Sequence, residues 1–136
     1  MLQKARPIFQ IPMSSLLIIA AVVGVMLFFS VAVAPTIFKV LPQEWASVYV
    51  RNFFPKYYAV LGVSCLIAGF FATNQLVSVI ALACGALFAV SLFVLTPAIN
   101  KASDAKDKSR FGLLHGVSIL INLLQLVLLI YALFEA

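Results

Sequence analysis

Charge is what this sequence has least of: only 10% of its 136 residues are Asp, Glu, Lys or Arg, against roughly 25% in a soluble globular domain. A water-soluble chain this short keeps much of its surface in solvent, and one that is 65% hydrophobic has no polar coat to cover that surface. A soluble domain is excluded. Histidine occurs once, as His115, and cysteine twice, as Cys65 and Cys84, each inside an apolar run. This excludes a disulfide framework and a metal site built on close Cys or His spacing; the two thiols are expected to be small core residues. There is no Gly-rich phosphate loop, no H-E-x-x-H and no nucleophile motif, and no acidic residue interrupts the long apolar runs. Neither an enzyme nor a proton pump built on intramembrane carboxylates is expected, and no cofactor. The formal charge is +5, but the basic residues lie before and between the apolar runs, without interleaved aromatics. Nucleic acid is excluded as a partner, and the charge reads as orientation in a bilayer with anionic headgroups.

What remains is an all-α membrane protein: a single four-span domain, a four-transmembrane-helix bundle with spans at about residues 13–38, 53–73, 76–100 and 110–134. Each is long enough to cross ~30 Å of hydrocarbon at ~1.5 Å per residue. Lys4 and Arg6 before an apolar run ending in Ala32-Val33-Ala34 also suit a signal peptide. That run exceeds the usual ~7–15 residues of a signal sequence, and Pro35 would become the first mature residue, so a retained first helix is expected. Between spans one and two, Trp45 and Tyr49 stand four apart, the spacing of a short interfacial helix lying among headgroups. Pro55 then falls in the first turn of span two, where its missing N–H does no damage. Thr73-Asn74-Gln75 breaks the uncharged stretch into a tight hairpin. Residues 101–110 hold six of the thirteen formal charges and are expected as an aqueous loop. The two loops on that side carry Lys39, Arg51, Lys56, Lys101, Lys106, Lys108 and Arg110, against Lys4 and Arg6 on the other. By the positive-inside rule the charged loops are cytoplasmic, and both termini lie outside, in a cell inner membrane.

Small residues recur in every span: Ala20 and Gly24, Gly62 and Gly69, Ala81, Gly85 and Ala89, Gly112 and Gly116. They are expected to let all four backbones approach closely, because lipid supplies no hydrophobic drive between helices. Ala34-Pro35-Thr36-Ile37-Phe38-Lys39 and Thr96-Pro97-Ala98-Ile99-Asn100-Lys101 form a faint internal repeat. It suggests two hairpins related by an axis along the membrane normal, each with a proline that ends or kinks its helix at the interface.

The fourth span carries Phe111, His115, Ser118, Asn122 and Gln125 at steps of four, three, four and three. They form one stripe of a helix. Polar side chains are costly in hydrocarbon, so the stripe should face the bundle interior or a partner. Tyr57, Tyr58, Pro97 and Asn100 lie at the same level as His115, and with Ser118 and Asn122 they make a candidate polar pocket. Trp45, Tyr49, Arg51 and Arg110 are expected interface anchors. Glu44 and Arg51, seven apart, are too distant for a direct pair.

Ala34-Pro35-Thr36-Ile37-Phe38, Phe54-Pro55-Lys56-Tyr57-Tyr58, Thr96-Pro97-Ala98-Ile99-Asn100 and Phe111-Gly112-Leu113-Leu114-His115-Gly116, followed by Ser118 and Asn122, resemble the transmembrane-protein-205-like family. The resemblance implies a small four-span membrane domain associated with export or trafficking. In the spans the soft donors are Met13, Met26, Cys65 and Cys84, fewer than a soft-metal path needs. The expected role is a non-enzymatic transport-related protein or an accessory subunit of a larger membrane assembly, partnered by lipid and by further copies or other membrane subunits. The alternative is a redox module that binds haem or metal through His115 in an oligomer.

Overall fold

The structure, a computed structural model, describes residues 11–136, with side-chain surroundings from Met13 onward. Lys4 and Arg6 lie outside the described residues. Among the described residues, four helices are long and apolar enough to cross a membrane. The first, α1, begins as Ile11–Phe28, widens into π-helical Phe29–Val33 and finishes as α-helical Ala34–Val40. It is followed by α2 (Gln43–Phe71), α3 (Gln75–Asp104, with a π turn at Ser91–Leu95) and α4 (Lys108–Glu135). A bilayer admits this solution because each helix satisfies its own backbone.

Helix ends follow local chemistry. Leu41 is extended (φ −92°, ψ 140°) before Pro42, as a residue preceding proline prefers, and Glu44 sits favourably in the first turn of α2. Asn74 caps α3, its Oδ1 accepting from the backbone N–H of Leu76 (2.9 Å) and Val77 (3.3 Å). The expected hairpin at Thr73–Gln75 is therefore in place. Asp107 caps α4 by accepting from the Arg110 N–H at 3.1 Å, after Lys106 has turned the chain with φ 55°.

Several boundaries differ from expectation. The segment expected as a separate interfacial helix is the start of α2, continuous with the span, so Pro55 sits in the helix interior. The apolar face of Ala46, Tyr57, Tyr58 and Leu61 is buried along the same helix, which rewards continuity over a bend. The charged stretch expected as a loop is mostly helical: α3 runs to Asp104 and α4 starts at Lys108. Lys101, Asp104, Lys108 and Arg110 sit on helix ends, and Lys106 and Asp107 lie in the short turn between them. Nor do the helices end at Pro35 and Pro97. Each proline lacks an N–H and its ring crowds the carbonyl four residues back; a preceding π turn widens the helix so that it continues. Ala34 N–H donates five residues back to Phe29 O, and Thr96 N–H likewise to Ser91 O. Threonine hydroxyls add donors at the same places, Thr36 Oγ1 to Ala32 O (2.6 Å) and Thr96 Oγ1 to Ser91 O (2.8 Å).

The helices run alternately up and down. α1 and α3 each pack on both α2 and α4, closing a ring whose centre is apolar. The end bearing Lys39, Arg51, Lys101 and Arg110 is here termed the basic end, and the other the hairpin end. Aromatic side chains fill the half nearer the basic end: Phe29 stacks on Phe53 (4.9 Å) and touches Tyr57 (5.0 Å), while Tyr58 reaches Phe88 (6.3 Å). Ile19, Val22, Cys65, Ala68, Val77, Cys84, Leu129 and Ala132 fill the rest.

Glycine divides the helices into two kinds. Between α2 and α3, a Cβ on Gly69 would lie 2.7 Å from Leu82 Cγ and 3.0 Å from its backbone nitrogen, and one on Gly85 2.7 Å from Leu66 Cδ2. Ser78 Oγ donates to Gly69 O across the same seam at 2.7 Å. Gly24, Gly112 and Gly116 face open space, with nothing within 4 Å. The expectation that small residues draw all four helices together thus holds for α2 and α3 and fails for α1 and α4, whose glycines point outward. Gly69→Val should lower the thermal unfolding temperature in detergent, by an overpacking cost of ~1–3 kcal/mol. Gly112→Ala and Gly116→Ala should leave the protomer's stability unchanged or slightly raised.

Candidate functional site

The polar stripe of α4 passes from the surface to the core along its length. At the basic end Phe111 and His115 are exposed, their rings stacked at 5.6 Å and 8°. No hydrogen bond to the His115 imidazole forms among the described residues; the backbone carbonyl of His115 accepts from Ser118 Oγ at 2.7 Å. Ser118 is buried, Asn122 half-buried and Gln125 fully buried. Gln125 Nε2 donates to Cys84 O at 3.1 Å, and Cys84 Sγ lies 3.9 Å from Gln125 O, so α4 and α3 are tied by a reciprocal contact. Oδ1 of Asn122 and Oε1 of Gln125 are buried without a partner, as is the Tyr57 hydroxyl.

The cause of this change lies in α1. α4 packs on α1 through Ile11–Phe28, whereas beyond the π turn the Ala34–Val40 segment packs on α2. The ring is closed at the hairpin end, while at the basic end the inner side of α4 becomes an edge. His115 sits on that edge, seven residues into the helix, about 10 Å from Lys108 along the axis.

The residues expected to share a pocket come from three helices and differ in their surroundings. Tyr57 and Tyr58 are neighbours in the aromatic core of α2 (5.5 Å). Pro97 is exposed on α3 just past the π turn. Asn100 is half-buried, and its carbonyl accepts from Arg51 Nη2 at 3.3 Å. His115, Ser118 and Asn122 stay together on α4.

Of the expected anchors, Trp45 and Tyr49 are exposed and Arg110 projects from α4. Arg51 pairs with Asp104 at 2.5 Å, joining α2 to the end of α3. Asp104 is exposed and Arg51 about one-third exposed, so solvent screens the pair and it orients more than it stabilises. Sequence gave no signal for it, since the partners stand 53 residues apart. Gln125, in contrast, was visible as the last member of the stripe.

Apolar spans, an internally bonded backbone and a ring of four helices define a multi-pass integral membrane protein. The chain matches the family described as Domain of unknown function (DUF4149) over residues 17–108, more than half its length, and belongs to that family. The match begins at Leu17 within α1, takes in α2 and α3, and stops at the first residue of α4. Neither the curated proteins nor the solved structures contain a match to the chain.

Gln125 provides a direct test of the α3–α4 tie. Gln125→Leu exchanges an interhelical hydrogen bond of ~0.6–2 kcal/mol for relief of an unpartnered oxygen, so its unfolding midpoint should stay within about 1 kcal/mol of the parent. Gln125→Glu forces either an ionised or a newly protonated carboxyl into the same buried place. It should unfold markedly earlier at neutral pH than Gln125→Leu in the same thermal assay.

Proposed function

We propose that this protein is a non-enzymatic subunit of a larger membrane assembly, joined to its partner through the basic-end half of α4. The observation that carries the reading is the uncovered basic-end half of α4: an exposed imidazole with no hydrogen bond among the described residues on one side of the helix, and Gly112 and Gly116 with free space above both on its outer face. Polar groups at membrane depth favour burial against protein, and glycines four apart allow another helix to come close. The aromatic filling of the bundle supports an accessory role over a conducting path within one chain. A transport-related role, in line with the resemblance to the transmembrane-protein-205-like family, would place the path between subunits. The basic residues favour a cytoplasmic position for the basic end, with both termini outside a cell inner membrane.

The test is native mass spectrometry of the protein released from its own membrane. The parent should emerge with a second copy or another membrane subunit, and Gly112→Leu with Gly116→Leu should release it while each protomer stays folded. A ligand-free monomer in mild detergent overturns the proposal. A reporter fused to either terminus should be active only outside the cytoplasm; cytoplasmic activity overturns the orientation.

His115 facing outward also favours a second reading, a haem held between two copies by paired imidazoles. No group of three His, Cys, Asp or Glu side chains gathers among the described residues, so one chain alone supplies a single ligand. A Soret band lost in His115→Ala would select this reading, and a colourless preparation would remove it.

A further inference from the structure

Val48, Tyr49, Asn52, Phe53 and Lys56 fall on one face of α2 and line a shallow groove of about 430 Å³. It lies away from the polar edge of α4 and is independent of that edge. The hairpin at Thr73–Asn74 fixes one membrane boundary next to the end of α2. Hydrocarbon of ~30 Å, at ~1.5 Å per residue, then extends back about twenty residues, to the level of Arg51. Lys56 therefore starts about 7 Å inside the apolar layer. Its side chain leans toward the helix N-terminus, and a lysine at this depth carries its ammonium up to the interface by snorkelling. That course runs along the groove, past Asn52 and Tyr49.

The ammonium arrives there without a protein counter-ion. Arg51–Asp104 is the only ion pair among the described residues, and it occupies the acid at the end of α3. Glu44, the nearest acid along α2, lies twelve residues away, about 18 Å. The groove offers other polar atoms: Asn52 Nδ2 is used by Val48 O at 2.9 Å, leaving its Oδ1 free to accept, and the Tyr49 ring is stacked on Phe53 at 5.7 Å. Below Lys56 the same face continues as Val60, Val63 and Ile67, each exposed (64%, 56% and 43%). A cation with hydroxyl and amide neighbours, set directly above an apolar rail, matches a molecule with an anionic head and a hydrocarbon tail.

We infer that this face of α2 is a binding site for one anionic phospholipid. Its phosphodiester lies on the Lys56 ammonium, a headgroup hydroxyl donates to Asn52 Oδ1, and an acyl chain lies along Val60, Val63 and Ile67. The charge complementarity of a lone, membrane-embedded lysine decides for a phospholipid over a second protein helix, which would need to bring its own buried acid.

The full-length protein in neutral detergent, mixed with equal amounts of phosphatidylglycerol and phosphatidylcholine of the same acyl chains, tests this by native mass spectrometry. The parent should retain phosphatidylglycerol in preference to phosphatidylcholine. Lys56→Gln should reduce that preference about fivefold, the size of one lysine's attraction to an anionic surface. Lys56→Arg should largely keep it, and Lys101→Gln should leave it unchanged. Inorganic phosphate at millimolar concentration should not displace the lipid, since the acyl rail contributes. Equal retention of both lipids, an unaltered preference in Lys56→Gln, or displacement by phosphate alone would overturn the site. Should Lys56→Gln unfold, Lys56→Arg and Val63→Asp still discriminate. The former should hold the lipid and the latter should lose it.

Discussion

The structure depends on the close approach of α2 and α3. In lipid, apolar surface gains nothing by turning from solvent to protein, so association rests on van der Waals contact and interhelical hydrogen bonds. Gly69 beneath Leu82, Gly85 beneath Leu66 and the Ser78 hydroxyl on Gly69 O supply both at one seam. α1 and α4 have no comparable seam with each other. They lean on this pair, α1 through the aromatic group around Phe29 and α4 through the exchange between Gln125 and Cys84. Two tightly joined helices and two more loosely held ones result, and the loosely held ones are the helices that keep glycine free on their outer faces.

The second organising feature is how the backbone accommodates proline. Interior proline removes a hydrogen bond that hydrocarbon cannot replace with water. In α1 and α3 the answer is a π turn followed by a threonine hydroxyl; in α2, Pro55 is carried within the helix. All three lie in the half of the bundle toward the basic end. The Phe29 π turn also determines which neighbour α1 has: before it the helix reaches α4, and after it the helix stays with α2. The open edge at His115 therefore follows from backbone geometry in α1, three helices away in sequence.

The number and type of membrane spans were legible in the sequence because they follow from the length of charge-free runs and from a single polar hairpin at Thr73–Gln75. The separate interfacial helix was not there to be found, because Trp45 and Tyr49 belong to the start of α2. Caps at Asn74 and Asp107 follow from side chains that accept from N–H groups. Other features were not legible. Proline predicts a helix end in water-soluble proteins, and nothing in Ala34-Pro35-Thr36 announces that widening will occur in its place. Small residues four apart mark a face suited to close packing but do not identify its neighbour, so Gly85 and Gly116 read alike while one is buried and the other bare. The stripe from His115 to Gln125 was visible as a stripe. Its change from outward-facing to buried depends on where α1 leaves α4, and that belongs to tertiary structure. Pairing of Arg51 with Asp104 needs two helix ends to meet and has no local trace.

The paired π turns also set which way each helix faces. Both stand at the same offset before a proline, Phe29–Val33 before Pro35 and Ser91–Leu95 before Pro97. A π turn closes its hydrogen bond five residues back in place of four, so the side chains beyond it fall out of the angular register that an unbroken α-helix would keep, by roughly 100° for one residue. α1 and α3 therefore present one stripe toward the hairpin end and a different one toward the basic end. A single rod in each case carries two faces, and a substitution that restored the ordinary turn would rotate every contact on one side of it.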